Sequence, residues 1–126
     1  MVVSVSGRTR LPNRRPSHVE TLEVTGQEFT ACIGFDPETG APSELFLNGG
    51  KEGSQVDALL SDVATIISIA LQFGVPPAAF RKSVGRSPNL STLPGSLDQL
   101  TAGSQPASAI GAAVDLLCSF ERERSE

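Results

Sequence analysis

The chain has no tryptophan and no tyrosine, and six phenylalanines supply its aromatic rings beside one histidine. Broad platforms for stacking bases or sugars need more than that. His18 stands alone, and Cys32 and Cys118 lie far apart, outside any Cys-x-x-Cys spacing. A closed zinc site takes four converging nitrogen or sulfur ligands, so neither a metal nor a cofactor is expected. Nucleophilic catalysis needs a nucleophile beside a base. No Ser or Cys is visibly arranged with His18, so no catalytic residue is assigned and an independent enzyme ranks last among the readings. Met-Val-Val-Ser-Val-Ser is too short for a secretory leader and has no basic start. Two packed thiols in a reducing cytoplasm are the expectation. The longest apolar stretch, Val56 to Phe73, is broken by Asp57, Asp62 and Gln72, so no membrane span is expected.

What the chain does have is an uneven charge. Its 126 residues suit one domain, with a net charge of −4. Residues 1–17 hold Arg8, Arg10, Arg14 and Arg15 with no acid, whereas the remainder carries a net −8. The division reads as a basic flexible arm over 1–17, a domain over 18–122 and a charged tail over 123–126. Pro12 and Pro16 oppose regular pairing in the arm.

His18–Val24 alternates loosely, with Val19, Leu22 and Val24 apolar. Thr25-Gly26-Gln27 then turns into Glu28–Phe35, which suits a pleated surface. Asp36-Pro37-Glu38-Thr39-Gly40 is a turn, with proline fixing φ early and glycine accepting positive φ late. Glu44–Asn48 makes a third strand. After Gly53 the period lengthens: Val56, Leu59/Leu60, Val63, Ile66/Ile67, Ala70 and Phe73 recur at helical spacing, with Ser54 and Asp57 placed to cap. Because Ile66–Leu71 is apolar nearly all round, this helix is expected to be central and buried. Gly74 and Pro76-Pro77 stop it. A short helix from Pro77 to Val84, a loop over 86–106 with one turn near Leu97–Leu100, and a final helix from Pro106 to Phe120 complete the chain. The fold class is α+β, an antiparallel three-stranded meander with two to three helices packed on one face.

Phe35-Asp36, Gly40-Ala41-Pro42-Ser43-Glu44-Leu45-Phe46-Leu47, Gly50-Lys51-Glu52-Gly53-Ser54 and Ile67-Ser68-Ile69-Ala70-Leu71-Gln72-Phe73-Gly74-Val75-Pro76 together resemble the TSCPD domain. That domain lies near the C-terminus of adenosylcobalamin-dependent ribonucleotide reductases and in short stand-alone proteins. Leu11-Pro12-Asn13-Arg14-Arg15-Pro16 and Ile110-Gly111-Ala112-Ala113-Val114-Asp115-Leu116-Leu117 resemble the short form. The chain departs from the family pattern at Ser54, where many members carry cysteine, and at Ala107-Ser108-Ala109-Ile110, where they carry Ser-Cys-Pro-Asp.

The candidate contact residues are Gly49, Gly50, Lys51, Gly53 and Ser54, whose amides and lysine at a helix start suit an anion. Arg14 and Arg15 in the arm suit phosphate or an acidic surface. A glycine-rich strand-to-helix turn is the competing reading of the first group, and a solvated tail that of the second. The resemblance implies a non-catalytic accessory or regulatory protein that binds a reductase or nucleotide-linked partner. The alternative is an adaptor or inhibitor that kept the fold and acts on an unrelated protein or nucleoprotein complex. A protein partner ranks above nucleic acid, because four arginines without aromatics are weak footing for the latter. A homodimer is expected from the apolar Ile66–Leu71 segment and the alanine-rich last helix.

Overall fold

The computed structural model of the chain describes residues 7–50, 53–87 and 105–125. Strands β1 (Ser17–Val24), β2 (Gln27–Phe35) and β3 (Pro42–Gly49) form an antiparallel meander. Thr25 and Gly26 link β1 to β2 with φ of 49° and 82°. Positive φ at both positions is what a two-residue turn needs to follow the strand twist. Between β2 and β3, Asp36 accepts from the Glu38 amide at 2.8 Å through its carboxylate and from the Gly40 amide at 2.7 Å through its carbonyl. Gly40 closes that loop at φ 75°.

Helix α1 (Gln55–Gln72) lies along β3, a short helix α2 (Pro77–Arg81) follows, and α3 (Ala109–Ser125) crosses the same sheet face. The expected α+β fold is therefore the fold observed. Arg86–Ser87 (β4) and Gln105–Pro106 (β5) pair as a short ribbon at the foot of α3. The expected turn near Leu97–Leu100 lies outside the described residues. The last helix begins at Ala109 rather than at Pro106, because Pro106 is held in the ribbon and Ser108 caps instead, its Oγ accepting from the Gly111 amide at 3.1 Å. Arg81 and Arg86 both reach Asp115, at 3.3 and 3.1 Å, and so tie α2 and β4 to α3.

The core is Ile33, Leu45, Leu47, Val114 and Leu117, all fully buried, with Ala31, Phe29, Leu60, Ala64, Ile67 and Leu71 around them. Ala109 and Ala113 are buried within the same chain. A side chain at Gly111 would meet Pro106 Cβ at 3.0 Å, so the small residues of α3 let the ribbon approach closely. Their close packing is intramolecular.

Two expectations need correcting. Val19 lies on the face opposite Leu22 and Val24, 63% exposed, and aligns with Cys32 and Phe46 on the open side of the sheet. Cys32, expected as a packed thiol, is accordingly only partly buried, while Cys118 is buried, and that burial pushes its thiol pKa up. Nor is α1 a buried central helix: Val56, Leu59 and Ile66 are 51%, 52% and 65% exposed. Only the arc holding Leu60, Ala64, Ile67, Ser68, Leu71 and Gln72 is covered.

The polar members of that arc close the outer edge of β3. Ser68 Oγ accepts from the Leu45 amide at 2.8 Å and lies 3.0 Å from the Leu45 carbonyl, to which it can donate. Gln72 Nε2 donates to the Ser43 carbonyl at 3.2 Å. An unpaired strand edge is a template for aggregation, and here helix side chains take the place of a fourth strand. By length and its mean hydropathy of 1.2 alone, α1 could cross a membrane; here its hydrogen bonds tie it to β3. Ser68→Ala removes the partner of a buried amide. Such a loss costs about 1–3 kcal/mol, and urea denaturation should show it as a lower midpoint with an unchanged slope.

Candidate functional site

The basic segment is built onto the domain. The Thr9 amide donates to the Gln72 carbonyl at 2.7 Å, and Arg8 Nε donates to Gln72 Oε1, also at 2.7 Å. One glutamine thus holds β3 through its amide nitrogen and the basic segment through its oxygens. Farther on, the Phe35 amide donates to the Pro16 carbonyl at 2.9 Å, extending the β1–β2 ladder by one residue.

Arg15 is fixed as well. Its Nε and Nη2 meet the two carboxylate oxygens of Glu44 at 2.8 and 2.9 Å, and Nη1 donates to the Pro12 carbonyl at 2.7 Å. Bidentate geometry of this kind fixes orientation as well as charge. The hydrogen bond to Glu44 is the main cause of a raised Arg15 pKa, so the guanidinium stays charged. Gly34, opposite Glu44 in the β2–β3 register, makes the room: a Cβ there would collide with Glu44 Oε1.

Arg8, Arg10 and Arg15 line one side of an open cavity of about 530 Å³, with Glu44 and Gln72 on the domain side. Arg15 is already matched by Glu44. Arg8 has committed one N–H to an uncharged amide, and no bond from Arg10 to another described residue is seen. Neither Arg8 nor Arg10 is ion-paired with a described carboxylate, although Arg10 also lines a neighbouring cavity beside Asp36 and Glu38. Arg14 is exposed and lines no part of it. The arginine pair read together from sequence separates, one member pinned to Glu44 and the other toward solvent.

The glycine-rich turn is a different environment. Gly50 and Gly53 have φ of 70° and 78°, and Ser54 caps α1, its hydroxyl accepting from the Asp57 amide at 3.2 Å. The Gly49 amide points at Asp57 Oδ1, 3.4 Å away. The neighbouring cavity of about 490 Å³ is lined by Glu28 and Asp57, two carboxylates that oppose an anion. Lys51 lies outside the described residues. Among the described residues, no three His, Cys, Asp or Glu side chains gather as a metal would require. His18 sits 3.0 Å from Glu20 and edge-on to the Phe120 ring, which itself packs on Phe35.

Sequence reasoning missed Glu44 and Gln72, and it saw Arg8 and Arg10 only as bulk charge. A glutamine four residues after a serine on the inward arc of an apolar helix was the available signal for Gln72. Nothing local marks Glu44 as the partner of an arginine 29 positions earlier.

These features define an α+β domain whose basic N-terminal segment is clasped to β3 and to the end of α1. The family model described as the TSCPD domain matches residues 5–115, and the chain belongs to that family. It is 39% identical over 69 residues to the vitamin B12-dependent ribonucleotide reductase of Rhodopirellula baltica, covering 55% of this chain and 6% of that protein. The corresponding reductases of Agrobacterium fabrum and Streptantibioticus cattleyicolor are 35% and 33% identical over 69 residues, covering 55% of this chain and 5% and 11% of theirs. The chain thus spans a small fraction of the length of the curated relatives it matches. No solved structure matches it.

Proposed function

We propose that this TSCPD domain is a non-catalytic accessory or regulatory module that engages a ribonucleotide reductase or a nucleotide-linked partner through the arginine-lined cavity. The observation behind this reading is the cavity itself, where Arg8 and Arg10 sit on a scaffold fixed by Gln72 and the Arg15–Glu44 pair. A guanidinium held in place, as Arg8 is by Gln72, loses less freedom when it binds a carboxylate or phosphate. Charge of this kind acts chiefly on encounter rate and salt dependence. The family relationship names the first partner to try. The glycine-rich turn is a weaker contact site in this reading, because Glu28 and Asp57 flank it.

The test is binding of the full chain to a purified vitamin B12-dependent reductase, by surface plasmon resonance at low and at near-physiological salt. Arg10→Glu should weaken binding about ten-fold or more at low salt, with a smaller effect as salt rises. Unaltered binding by Arg10→Glu would remove the cavity as the contact. Absence of any interaction at tens of micromolar, an order-of-magnitude guide to weak association, would remove the reductase as the partner.

A further inference from the structure

The exposed side of α1 carries its own periodic stripe, of which Val63 alone also packs against the core. Val56, Leu59, Val63, Ile66, Ala70 and Phe73 follow one another at intervals of three, four, three, four and three residues. That is the a/d spacing of a coiled-coil seam. Val56, Leu59 and Ile66 are half or more exposed, and Val63, Ala70 and Phe73 are partly so. The neighbouring arc through Leu60, Ala64, Ile67 and Leu71 is spent on the sheet. One helix therefore presents two apolar stripes roughly a quarter-turn apart, and the described residues cover only one of them.

We infer that the uncovered stripe is a two-fold interface, pairing α1 of one copy antiparallel to α1 of a second. The sequence of the stripe is self-complementary in that direction. A two-fold axis between Val63 and Ile66 sets Val63 against the second copy's Ile66, Leu59 against its Ala70, and Val56 against its Phe73. Every pair then matches a larger side chain with a smaller one, as interdigitated packing requires. A parallel arrangement would instead stack Phe73 on Phe73 and leave Ala70 facing Ala70 across a gap. No charged side chain lies in the stripe. The flanking Asp62 is offset from its own copy by about five residues, or roughly 7–8 Å along the axis, so like charges do not meet.

Size is consistent with a concentration-dependent dimer. An 18-residue helix is about 27 Å long. A single helix seam of that length buries on the order of 1,000 Å² in total, at the lower end of specific interfaces. Tight, obligate pairing is not expected from this seam alone; association in the micromolar range is.

Sedimentation velocity of the full chain across a range from about one to a few hundred micromolar should show monomer giving way to dimer. Ile66→Asp should raise the dissociation constant about 100-fold or more while circular dichroism stays native, because Ile66 is 65% exposed and holds nothing together in the monomer. Direction is tested by charge. Leu59→Lys alone and Ala70→Glu alone should each weaken the dimer, and the two combined in one chain should restore most of it. The two positions lie too far apart on one helix to pair within a copy, but they face each other across the antiparallel axis. A chain that stays monomeric throughout that range overturns the interface. A dimer indifferent to Ile66→Asp places the contact elsewhere. Failure of the combined variant to recover overturns the antiparallel register.

Discussion

One added methyl group at Gly49 should lower the unfolding free energy by about 2–3 kcal/mol, near the upper end of what overpacking a core costs. Gly49 ends β3 directly opposite Phe29 in β2, and a Cβ there would overlap the Phe29 ring, lying 2.7 Å from Cε1 and 3.0 Å from Cγ. The ring is 7% exposed and packs in the core that includes Val24 and Ala31. It can evade the new methyl only by swinging toward water or by pushing β3 away from β2. The first surrenders much of what a buried phenylalanine contributes, about 3–5 kcal/mol when removed entirely. The second strains the turn into α1, where the Gly49 amide faces Asp57. Partial relaxation by both routes gives the intermediate figure. Urea denaturation of Gly49→Ala checks it, and Phe29→Leu identifies the cause. In the Phe29→Leu background the same Gly49→Ala change should cost less than half as much, a coupling that only contacting residues show. An effect below about 0.5 kcal/mol in the native background would mean that the strand yields freely, since that is the range of changes that touch nothing.

Gly49 also shows where sequence reading succeeded and where it could not reach. The strands, their turns and the Ser54 cap were legible because each rests on residues close together in the chain. Thr25-Gly26 has glycine at the second turn position, with the β-branched Thr25 held at a disfavoured positive φ, Asp36 to Gly40 has its proline and glycine at the right ends, and Ser54 precedes Asp57 by three. The glycines of the turn were legible as backbone freedom, and Gly50 and Gly53 use it. Gly49 has a different reason to be glycine, the Phe29 ring, and that neighbour is brought near only by the β2–β3 register. Helix α1 illustrates the same boundary. Its wide apolar arc was visible, but periodicity cannot say how much of an arc the remaining chain will cover, and the described residues cover only part. His18 to Val24 was harder because its alternation is inverted at one end. Val19 faces out, whereas His18 and Glu20 turn toward the α3 side and satisfy each other and the Phe120 ring edge. The basic segment was read as detachable because its composition, rich in arginine and proline, lacks an apolar period. Its attachment is made by hydrogen bonds and one ion pair, which leave no periodic trace.

That attachment sets the last expectation. Deleting residues 1–16 should lower the melting temperature by roughly 10 °C, an order-of-magnitude figure for losing several structural bonds from a domain this small, while unfolding remains a single cooperative transition. The deletion removes the Thr9 and Arg8 donors from Gln72, the Pro16 carbonyl from the Phe35 amide, and Arg15 from Glu44. Three acceptor or donor groups on the domain are then left to water, and Glu44, whose side chain is 14% exposed, keeps a charge without its partner. Stranding one half of a partly buried pair costs more than the pair contributed. The core residues Ile33, Leu45, Leu47 and Leu117 make no use of the segment, so the fold survives. Deleting residues 1–6 alone is the control, and its effect is subtracted, since every bond named here begins at Arg8 or later. Arg15→Ala should reproduce part of the loss, and Glu44→Gln in that background should restore some of it by discharging the stranded carboxylate. A melting temperature unmoved by the deletion of residues 1–16 would show that the clasp adds nothing to stability. A deletion variant that is destabilised yet still binds a reductase as the full chain does would separate the clasp from the cavity, leaving Arg8 and Arg10 a structural role only.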